Sequence, residues 1–557
     1  MGRPGTMRVV AAVALGLITV LAGCAKASPV TSTSSATQTS KVSGSTPVSS
    51  TPTGPYGTLT MAASTFDVER FNTVATGTGS KARLFGPMTD WMFWMEVRDG
   101  PQQPAIVEKW EIAPDGLSWT LRVRKGVKFH NGDDLTGKDV KFSIEQYMTK
   151  EAATPDMRNA VNRVEMVDDW AVRVVTKGKQ PLLQRILSVM VPSYGMVIPK
   201  DYIEKNGWPY FEQHPVGSGP FTFVRHNRGD SAEYEANTKY WAQAPAFKNL
   251  KIVLIPEEAT RVAALKSGQV DIIENIGFGN IKEMEAKGFP KIVQDKAASR
   301  VQLHGAYDPR AKGTPVSDLK VRQALSLAIN RDEINKTFYY GEGSFPLPSA
   351  FSSASEDIDT AYMQTYAAKI WRYDQAAAKA LLKDAGYANG FNIRFYTFDS
   401  TAAPDNPKLA LIVQAYWSQI GVKAEIVAID QGRYKTMSAP LSNDFVGQAT
   451  THGIFSSPPS NLTSGFAPSG ATGLLGTAFP QFDELMAAWA SEMDSAKRKE
   501  ILARVITMTT ETYTMLMVSN FSILGAMGPR VTHNLQAPLP VSSLPVFASY
   551  FKHGKAP

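Results

Sequence analysis

The chain has 557 residues, of which 43% are hydrophobic, 20% charged and 10% aromatic, as in ordinary globular proteins. Its length exceeds a single domain and predicts roughly two to four structural units. The single cysteine excludes an intrachain disulfide and any cysteine-rich metal site, and the net charge of +7, without a basic run interleaved with aromatics, argues against nucleic-acid binding.

The first residues have the pattern of a secretory signal peptide. Arg3 and Arg8 come before Cys24 with no acidic residue, and residues 9–22 are almost wholly apolar. That apolar run is shorter than the ~20 residues of a membrane-spanning helix and matches the apolar core of a signal. We therefore predict a signal peptide over residues 1–23.

Residues 21–24 read LAGC and include the only cysteine, Cys24. The stretch resembles the lipobox of bacterial lipoproteins, which implies cleavage before Cys24 and attachment of diacylglycerol to its sulfur. Two acyl chains hold a protein at a bilayer, whereas one chain binds only reversibly. The resemblance implies a lipid-anchored protein on the outer face of the cell membrane. The alternative is an ordinary signal peptide in which Cys24 is incidental.

Residues 24–55 consist mainly of serine, threonine, proline and valine. This composition buries too little apolar surface to fold, so we predict a solvated tether. Such a tether would let a folded body that begins near Tyr56 stand away from the membrane.

From Tyr56 onward, predicted strands and helices alternate, which indicates an α/β fold. Strands follow from alternation at period two, and helices from apolar stripes and from capping residues. In chain order we predict strands at 58–62 and 119–123, a helix from 318 to 329, a helix from the N-cap Asp374 to Gly386, a strand at 391–395, a helix over 409–420 that ends before Gly421, and a strand at 422–426.

Six blocks of sequence then resemble motifs of one family, in the family's order. The longest, at residues 110–132, reads WEIAPDGLSWTLRVRKGVKFHNG and resembles W-x-x-x-x-D-G-x-x-[YW]-T-[FL]-x-[LV]-R-x-G-V-K-F-H-[DN]-G. The others are TGKDVKFS at 136–143, VGSGPF at 216–221, NTKYW at 237–241, AALKSGQVD at 263–271 and DLKVRQALSLAINR at 318–331. Through these blocks the chain resembles the family-5 extracytoplasmic solute-binding proteins, the receptors of ABC importers for peptides, nickel and oligosaccharides.

The resemblance implies a two-lobed, periplasmic-binding-protein-like fold of type II, with a hinge and an extra domain inserted in lobe one. Carried onto this chain, lobe one would comprise residues 56–88, 200–305 and 516–557, the inserted domain residues 89–199, and lobe two residues 306–515. It also implies a monomeric, non-enzymatic receptor without a cofactor. This receptor captures a small solute between the lobes and delivers it to ABC permease subunits.

Most residues of these blocks have a plain structural explanation. The Asp-Gly and Asn-Gly pairs at 115–116 and 131–132 are turn dipeptides. Gly217 and Gly219 are expected to allow a close crossing of two chain segments. Arg322 is expected on the solvent side of its helix or in a local pair. The blocks therefore identify the fold and say little about ligand contacts.

The segment that binds the solute in related peptide receptors differs here. In peptide-binding members, a segment of the form G-W-x-x-D-Y-x-D-P-x-x-F supplies a carboxylate to the peptide's α-ammonium group, which needs a partner in a closed cleft. Here residues 452–462 read HGIFSSPPSNL, without tryptophan or acid, and Asp444 could substitute only along a different backbone path. A neutral or anionic solute, a sugar, a peptide held by backbone hydrogen bonds and a nickel chelate remain open, although no histidine cluster favours nickel.

Six residues on connecting segments are candidates for contact with a polar solute. Flat aromatic rings cover a solute face at low entropic cost, and serine or histidine can donate or accept a hydrogen bond. Core packing is the stronger alternative for the first two, and no residue is expected to be catalytic or to bind a metal. The candidates are Phe93, Trp94, Tyr307, His452, Phe455 and Ser456.

Two other classes of function compete with a receptor. A surface lipoprotein hydrolase needs a catalytic motif, but the chain has no G-x-S-x-G, no HExxH, and no S-x-x-K with its companion motifs. A sensory or adhesive surface protein could keep the same fold without transport. Neighbouring genes for permeases and ATPases would favour transport over that alternative.

Overall fold

The computed structural model describes residues 54–77, 80–97, 100–153, 155–189, 194–348, 357–398, 403, 405–438, 441–455, 466, 480–535, 539 and 543–554. The chain divides into a unit of residues 1–51 and a unit of residues 52–557, and every described residue belongs to the second unit. The predicted signal peptide, Cys24 and the tether up to residue 53 lie outside the described residues.

Strands and helices alternate along the described chain. The strands are β1 Thr58–Ala63, β2 Phe93–Trp94, β3 Gln103–Pro104, β4 Val107–Ile112, β5 Ser118–Val123, β6 Val161–Asp168, β7 Ala171–Thr176, β8 Phe221–Asn227, β9 Ser231–Ala236, β10 Asn249–Leu254, β11 Ile272–Ile276, β12 Lys291–Leu303, β13 Gly343–Ser344, β14 Asn392–Thr397, β15 Lys423–Ala428, β16 Ala449–Phe455, β17 Met515–Met527, β18 Val531–His533 and β19 Phe551–His553. The α-helices are Gly137–Tyr147, Asp156–Ala160, Leu183–Ile186, Lys200–Asn206, Trp208–Gln213, Glu258–Lys266, Phe278–Ala286, Leu319–Leu327, Arg331–Thr337, Thr360–Ile370, Gln375–Asp384, Asn406–Ser418, Gln431–Ser438, Pro480–Ser491 and Ser495–Glu511, with shorter turns of other helix types at Lys81–Phe85, Pro309–Ala311, Pro315–Ser317 and Leu544–Tyr550.

The predicted elements are confirmed to within a few residues. Asp374 caps the helix Gln375–Asp384 because its side chain accepts a hydrogen bond of 2.8 Å from the backbone N–H of Ala377. Gly386 follows that helix with φ +87°, a conformation that glycine adopts without strain. The local pattern of apolar and capping residues was therefore sufficient to place these elements.

One large mixed sheet organises the fold. Within the described residues it has eleven strands: ten follow the order β15-β14-β16-β12-β17-β11-β1-β10-β9-β8, and β13 pairs with β17 away from this path. β12 and β17, of 13 residues each, pair antiparallel from Lys291 and Ala526 to Gln302 and Met515. β12 and β17 lie side by side in the middle of the sheet. They therefore connect the strands β14–β16 on one side with the strands β1 and β8–β11 on the other.

A second, antiparallel sheet of order β4-β5-β7-β6 lies within residues 107–176. Its strand β5 alternates buried and more exposed residues, and Trp119 and Leu121 are fully buried. This burial pattern is the alternation that predicted the strand from the sequence.

Strand β1 of the large sheet buries both of its faces. In β1, Leu59, Met61 and Ala63 belong to one hydrophobic core, while Ala62 belongs to the other. Because successive side chains of a strand point to opposite faces, the sheet lies between two cores in this region.

Two glycines bring chain segments into close contact, as predicted. A Cβ atom on Gly217 would lie 1.9 Å from the carbonyl oxygen of Met88, and one on Gly219 would lie 2.5 Å from the carbonyl carbon of Met88. Both distances are far below van der Waals contact, so this crossing requires glycine. The predicted turns are also confirmed, since Gly116 and Gly132 have φ of +74° and +94°.

Arg322 is buried, with 1% of its surface exposed, so the solvent-side alternative is wrong. Its Nη1 donates locally to the carbonyl of Val316 at 2.8 Å, and its Nε donates to the carbonyl of Thr512 at 2.7 Å. The long side chain reaches across to the carboxyl end of helix Ser495–Glu511, where carbonyl oxygens lack helical partners.

Arg331 is also only 1% exposed, and it provides a test of how much a buried guanidinium stabilises the fold by donating to backbone carbonyls. Its guanidinium donates to the carbonyls of Met517 at 2.7 Å, Ser326 at 3.0 Å and Trp371 at 3.1 Å. We expect Arg331→Met to lower the free energy of unfolding by about 3 kcal/mol, because buried acceptors are left without donors. Urea denaturation measures this loss.

Arg372→Met is the matched control, because the Arg372 side chain is 60% exposed. It should change the free energy of unfolding by less than about 0.5 kcal/mol. Equal losses in the two variants would contradict the role given to Arg331.

Candidate functional site

The carboxyl ends of two groups of parallel strands face each other. β1 pairs parallel with β10 and β11, and β14 pairs parallel with β15 and β16. β12 is antiparallel to β16 and β17, and β17 is antiparallel to β11, so the two groups point toward each other. In open α/β sheets, ligands bind outside the carboxyl ends of the strands.

The register gives the width of the gap between these ends. Ile276, the last residue of β11, pairs with Leu524, which pairs with Val293 of β12. Phe455, the last residue of β16, pairs with Ala297 of β12. Four residue steps of β12 separate Val293 from Ala297, with a β-bulge between Val293 and Asp295, which corresponds to at most about 13 Å. We call this gap, with residues 293–297 and 521–524 as its floor, the crevice.

A cavity of about 30 Å³ opens on the crevice. Three aromatic rings form one side of it: the ring centroid of Tyr339 lies 5.1 Å from that of Phe278 and 5.0 Å from that of Phe521. The lining also includes Asn406, which is 1% exposed. Neither amide atom of Asn406 has a hydrogen-bond partner in the described part of the chain. A buried amide without partners is expensive, so Asn406 is suited to bind a polar group placed in the cavity.

The last residues of β11 border the same cavity and are held in place by hydrogen bonds of Asn275. The backbone N–H of Asn275 donates to Oε1 of Gln294 at 3.0 Å, and its Nδ2 donates to Oγ of Ser64 at 2.8 Å. Asn275 has φ +53°, a left-handed conformation that asparagine tolerates better than most residues. These bonds connect the ends of β1 and β11 with the floor of the crevice.

Phe93 and Trp94 lie elsewhere, beside the four-stranded sheet. Phe93 is fully buried, with its ring edge-on to Trp110 at a centroid distance of 5.0 Å. Trp94 lines a separate cavity of about 190 Å³, and its ring is parallel to that of Tyr550 at 6.2 Å. This cavity shares no lining residue with the crevice cavity.

Asp90 lies in the wall of that second cavity and takes part in a local network. The hydroxyl of Tyr240 donates to its carboxylate at 2.6 Å, and Nε1 of Trp241 donates at 3.1 Å. Burial raises the pKa of Asp90 to about 6, although both hydrogen bonds lower it. The carboxylate therefore joins the Tyr240-Trp241 pair, part of one of the six sequence blocks, to the segment that carries Trp94.

Tyr307 lies beyond the end of β12 that is distant from the crevice. Its side chain is 46% exposed, and its hydroxyl accepts a hydrogen bond of 3.1 Å from Nη2 of Arg322. The guanidinium also lies over the ring, 5.0 Å from the centroid. Tyr307 thus covers a buried arginine.

Phe455 is the last residue of β16, and its backbone lies at the edge of the crevice. The side chain of Phe455 and the whole of Ser456 lie outside the described part of the chain. His452 precedes this edge by three residues and pairs with Arg300 of β12. Asp444 is exposed and lies before the start of β16, at the end opposite to the crevice. It therefore does not replace the missing acid.

His452 lies in an aromatic environment. Its ring centroid is 5.2 Å from that of Tyr434 and 5.7 Å from that of Phe398, and Nη2 of Arg300 approaches its Nδ1 at 3.5 Å. Burial lowers the pKa of His452 well below its usual value, and the positive charge of Arg300 lowers it further. The ring is therefore neutral at pH 7.

Sequence reasoning missed Arg300 and Asn406. The sequence did contain a signal for Arg300, because a charged residue stands in the run SRVQL at 299–303, which otherwise alternates as a strand does. Nothing in the sequence around Asn406 distinguishes it from a residue that begins a helix. Among the described residues, no cluster of three or more His, Cys, Asp or Glu side chains could hold a metal ion, and no helix is long and apolar enough to span a membrane.

Comparison with known proteins identifies the family. The model of bacterial extracellular solute-binding proteins, family 5 Middle, matches residues 102–473, more than half of the chain. The chain belongs to this family. The sequence is 28% identical over 369 residues to the dipeptide-binding protein of Escherichia coli (strain K12), covering 59% of this chain and 64% of that protein. It is 30% identical over 362 residues to heme-binding protein A of Haemophilus influenzae, covering 60% of this chain and 63% of that protein.

The matched regions thus span just under two thirds of these relatives, whereas the likeness in structure extends further. The periplasmic binding protein DppA from Helicobacter pylori, solved in complex with the peptide STSA, superposes with a TM-score of 0.72 at 21% identity. The match covers 90% of this chain and 99% of that chain. The predicted two-lobed α/β fold of type II is confirmed by this likeness.

The environment of His452 predicts a dependence of stability on pH. The unfolded chain binds more protons than the folded chain between pH 6.5 and the lowered pKa. The free energy of unfolding therefore falls as pH drops below about 6.5, with a contribution from His452 of up to about 1.4 kcal/mol per pH unit. Urea denaturation between pH 5 and pH 8 should show this decline, and His452→Gln should make it shallower.

Some decline should persist in His452→Gln, because burial also lowers the pKa of His130 and His533. His214→Gln, which replaces an exposed histidine, should retain the wild-type dependence. Identical slopes for wild type and His452→Gln would show that His452 is not buried as described.

Proposed function

We propose that this protein is an extracytoplasmic receptor of an ABC importer, which captures a small polar solute in the crevice and delivers it to the permease. One observation carries the proposal: the carboxyl ends of two groups of strands face each other across a crevice of about 13 Å, and β12 and β17 connect the two groups. The chain also belongs to a family of solute-binding proteins. Membership of the family supports a binding role without chemical turnover.

Capture works by hinge closure. The cavity of about 30 Å³ beside Asn406 has room for a few water-sized groups only, so a larger solute requires the two sides to move apart there. β12 and β17 can bend as a pair while they keep their mutual hydrogen bonds. The solute then favours the closed form through contacts that exist only there, with the Asn406 amide and the rings of Phe278, Tyr339 and Phe521.

We propose lobe one as residues 56–88, 200–305 and 516–557, lobe two as residues 306–515, and an inserted domain of residues 89–199, with β12 and β17 as the connection between the two lobes. The receptor acts as a monomer held at the membrane by a lipid on Cys24. Relatives of similar identity are named for a dipeptide and for heme, so overall similarity does not choose the solute.

A thermal-shift screen of residues 56–557 tests the receptor function. Di- to octapeptides, oligosaccharides, nickel chelates and organic acids form the panel. A true solute at one hundred times its dissociation constant should stabilise the protein by about 2.7 kcal/mol. Deletion of the gene should abolish uptake of the same compound, and mass spectrometry should recover that compound unchanged from the pure protein.

Asn406→Ala should weaken binding of the selected compound at least tenfold and leave the unfolding temperature of the free protein nearly unchanged, because the amide it removes has no partner. Asn389→Ala, at an exposed asparagine, is the control. Chemical conversion of the compound would favour a hydrolase, and binding without any loss of uptake would favour a sensory or adhesive protein.

The lipid anchor is tested separately. Cys24→Ala removes the only sulfur that can receive diacylglycerol, so the protein should move from the membrane fraction to the soluble or secreted fraction. Fractionation and immunoblotting measure this change. A variant that stays in the membrane fraction would refute anchoring through Cys24.

A further inference from the structure

Among the residues that the structure describes, Arg300 is a buried cation without a counter-ion. It is 5% exposed and lies on β12, opposite His452. Its Nη1 contacts the sulfur of Met515 at 3.1 Å, its Nη2 approaches Nδ1 of His452 at 3.5 Å, and its Nε has no partner. None of these contacts is a carboxylate or a carbonyl oxygen.

Other buried arginines of the described chain are well bonded. Arg331 and Arg322 each donate to several backbone carbonyls, and Arg498 forms an ion pair of 2.9 Å with the buried Asp357. The fold therefore supplies oxygen acceptors to these guanidinium groups, and Arg300 differs from them. A buried ion without such partners costs several kcal/mol.

The guanidinium keeps its charge nevertheless. Burial lowers the pKa of Arg300 to about 10, which still leaves it protonated at neutral pH. The neighbouring His452 is neutral there, because its own pKa is lowered. The site thus carries one positive charge at neutral pH.

Gln302 adds a second donor without an acceptor. It lies two residues along β12 and therefore on the same face as Arg300. The hydroxyl of Tyr434 donates to its Oε1 at 3.0 Å, which fixes the amide. The buried Nε2 has no partner among the described residues. Two donors without acceptors, one of them charged, are suited to an anion with oxygen acceptors.

This face of β12 leads from the crevice to Arg300. Lys296, which donates to Oγ of Ser522 at 2.8 Å at the crevice floor, Ala298 and Arg300 alternate onto the same face. Only the methyl group of Ala298 lies between the two basic residues on this strand. His452 is half-buried, so the surroundings of Arg300 are not sealed from solvent.

We propose that Arg300, together with Nε2 of Gln302, binds a carboxylate or phosphate group of the solute, which makes the substrate an anionic organic compound. This rests on the receptor function proposed above. It also explains why residues 452–462 contain no acid. A carboxylate there would suit a cationic group, whereas a guanidinium at this end of the crevice suits the opposite charge.

Removal of the charge is the first test. Arg300→Met should raise the unfolding temperature of the free protein by several degrees, because it removes a buried charge without a partner. Arg331→Met is the matched control at a buried arginine with carbonyl partners and should lower it. A decrease for Arg300→Met as large as that for Arg331→Met would overturn the proposal, since it would show that Arg300 is satisfied in the free protein.

The second test measures binding of anions at constant ionic strength. The probes are inorganic phosphate, sulfate, acetate, succinate, citrate, glycerol 3-phosphate, and dialanine with a free or an amidated carboxyl group. We expect an organic anion to raise the unfolding temperature of the wild type and its amidated or neutral counterpart not to do so. Arg300→Met should weaken that binding at least tenfold, while Arg433→Met, at an exposed arginine of the helix that carries Tyr434, should retain it.

The outcomes separate the two proposals. Stabilisation through Arg300 by inorganic phosphate or sulfate, and by no organic anion, would show a site for a free anion and overturn the substrate class. The absence of any stabilisation that depends on Arg300 would also overturn it. A neutral or cationic solute that binds equally to wild type and Arg300→Met and is imported would refute this inference and leave the receptor function standing. Absence of import, or chemical conversion of the bound compound, would refute the receptor function itself.

Discussion

The antiparallel pairing of β12 with β17 is the interaction on which the rest of the structure depends. Each strand has 13 residues, and the pair lies between the two groups of parallel strands and connects them. Its direction makes the carboxyl ends of the two groups face each other, and its register sets the crevice at about 13 Å. A slip of this pairing would misalign every side chain of the crevice floor.

Buried charge is handled in two ways around this hinge. Arg322 and Arg331 donate to backbone carbonyls and so bind separate segments of one core together. Arg300 has no such acceptors. A charge that the fold leaves without partners can be stabilised by a ligand instead, and in that case part of the binding free energy comes from the relief of this cost.

The family and the solute depend on different parts of the molecule. The blocks that resemble the family form turns, a chain crossing and buried arginine contacts, which set the backbone. The groups that would distinguish one solute from another, such as Asn406, Arg300 and Gln302, lie at strand and helix ends outside those blocks. This separation is why relatives with similar identity can carry the names of a dipeptide and of heme.

The sequence by itself determined the α/β class, the position of individual strands and helices such as that capped by Asp374, and the glycines of the turns and the chain crossing, because these depend on local spacing and backbone conformation. The candidate solute contacts stay predictions. Phe93 and Tyr307 lie away from the crevice, Asn406 in the crevice wall was not singled out by the sequence, and Arg322 proved buried. Only the tertiary structure decided which polar groups have partners, because the acceptors of Arg331 lie up to 186 residues away in the chain while Arg300 has none.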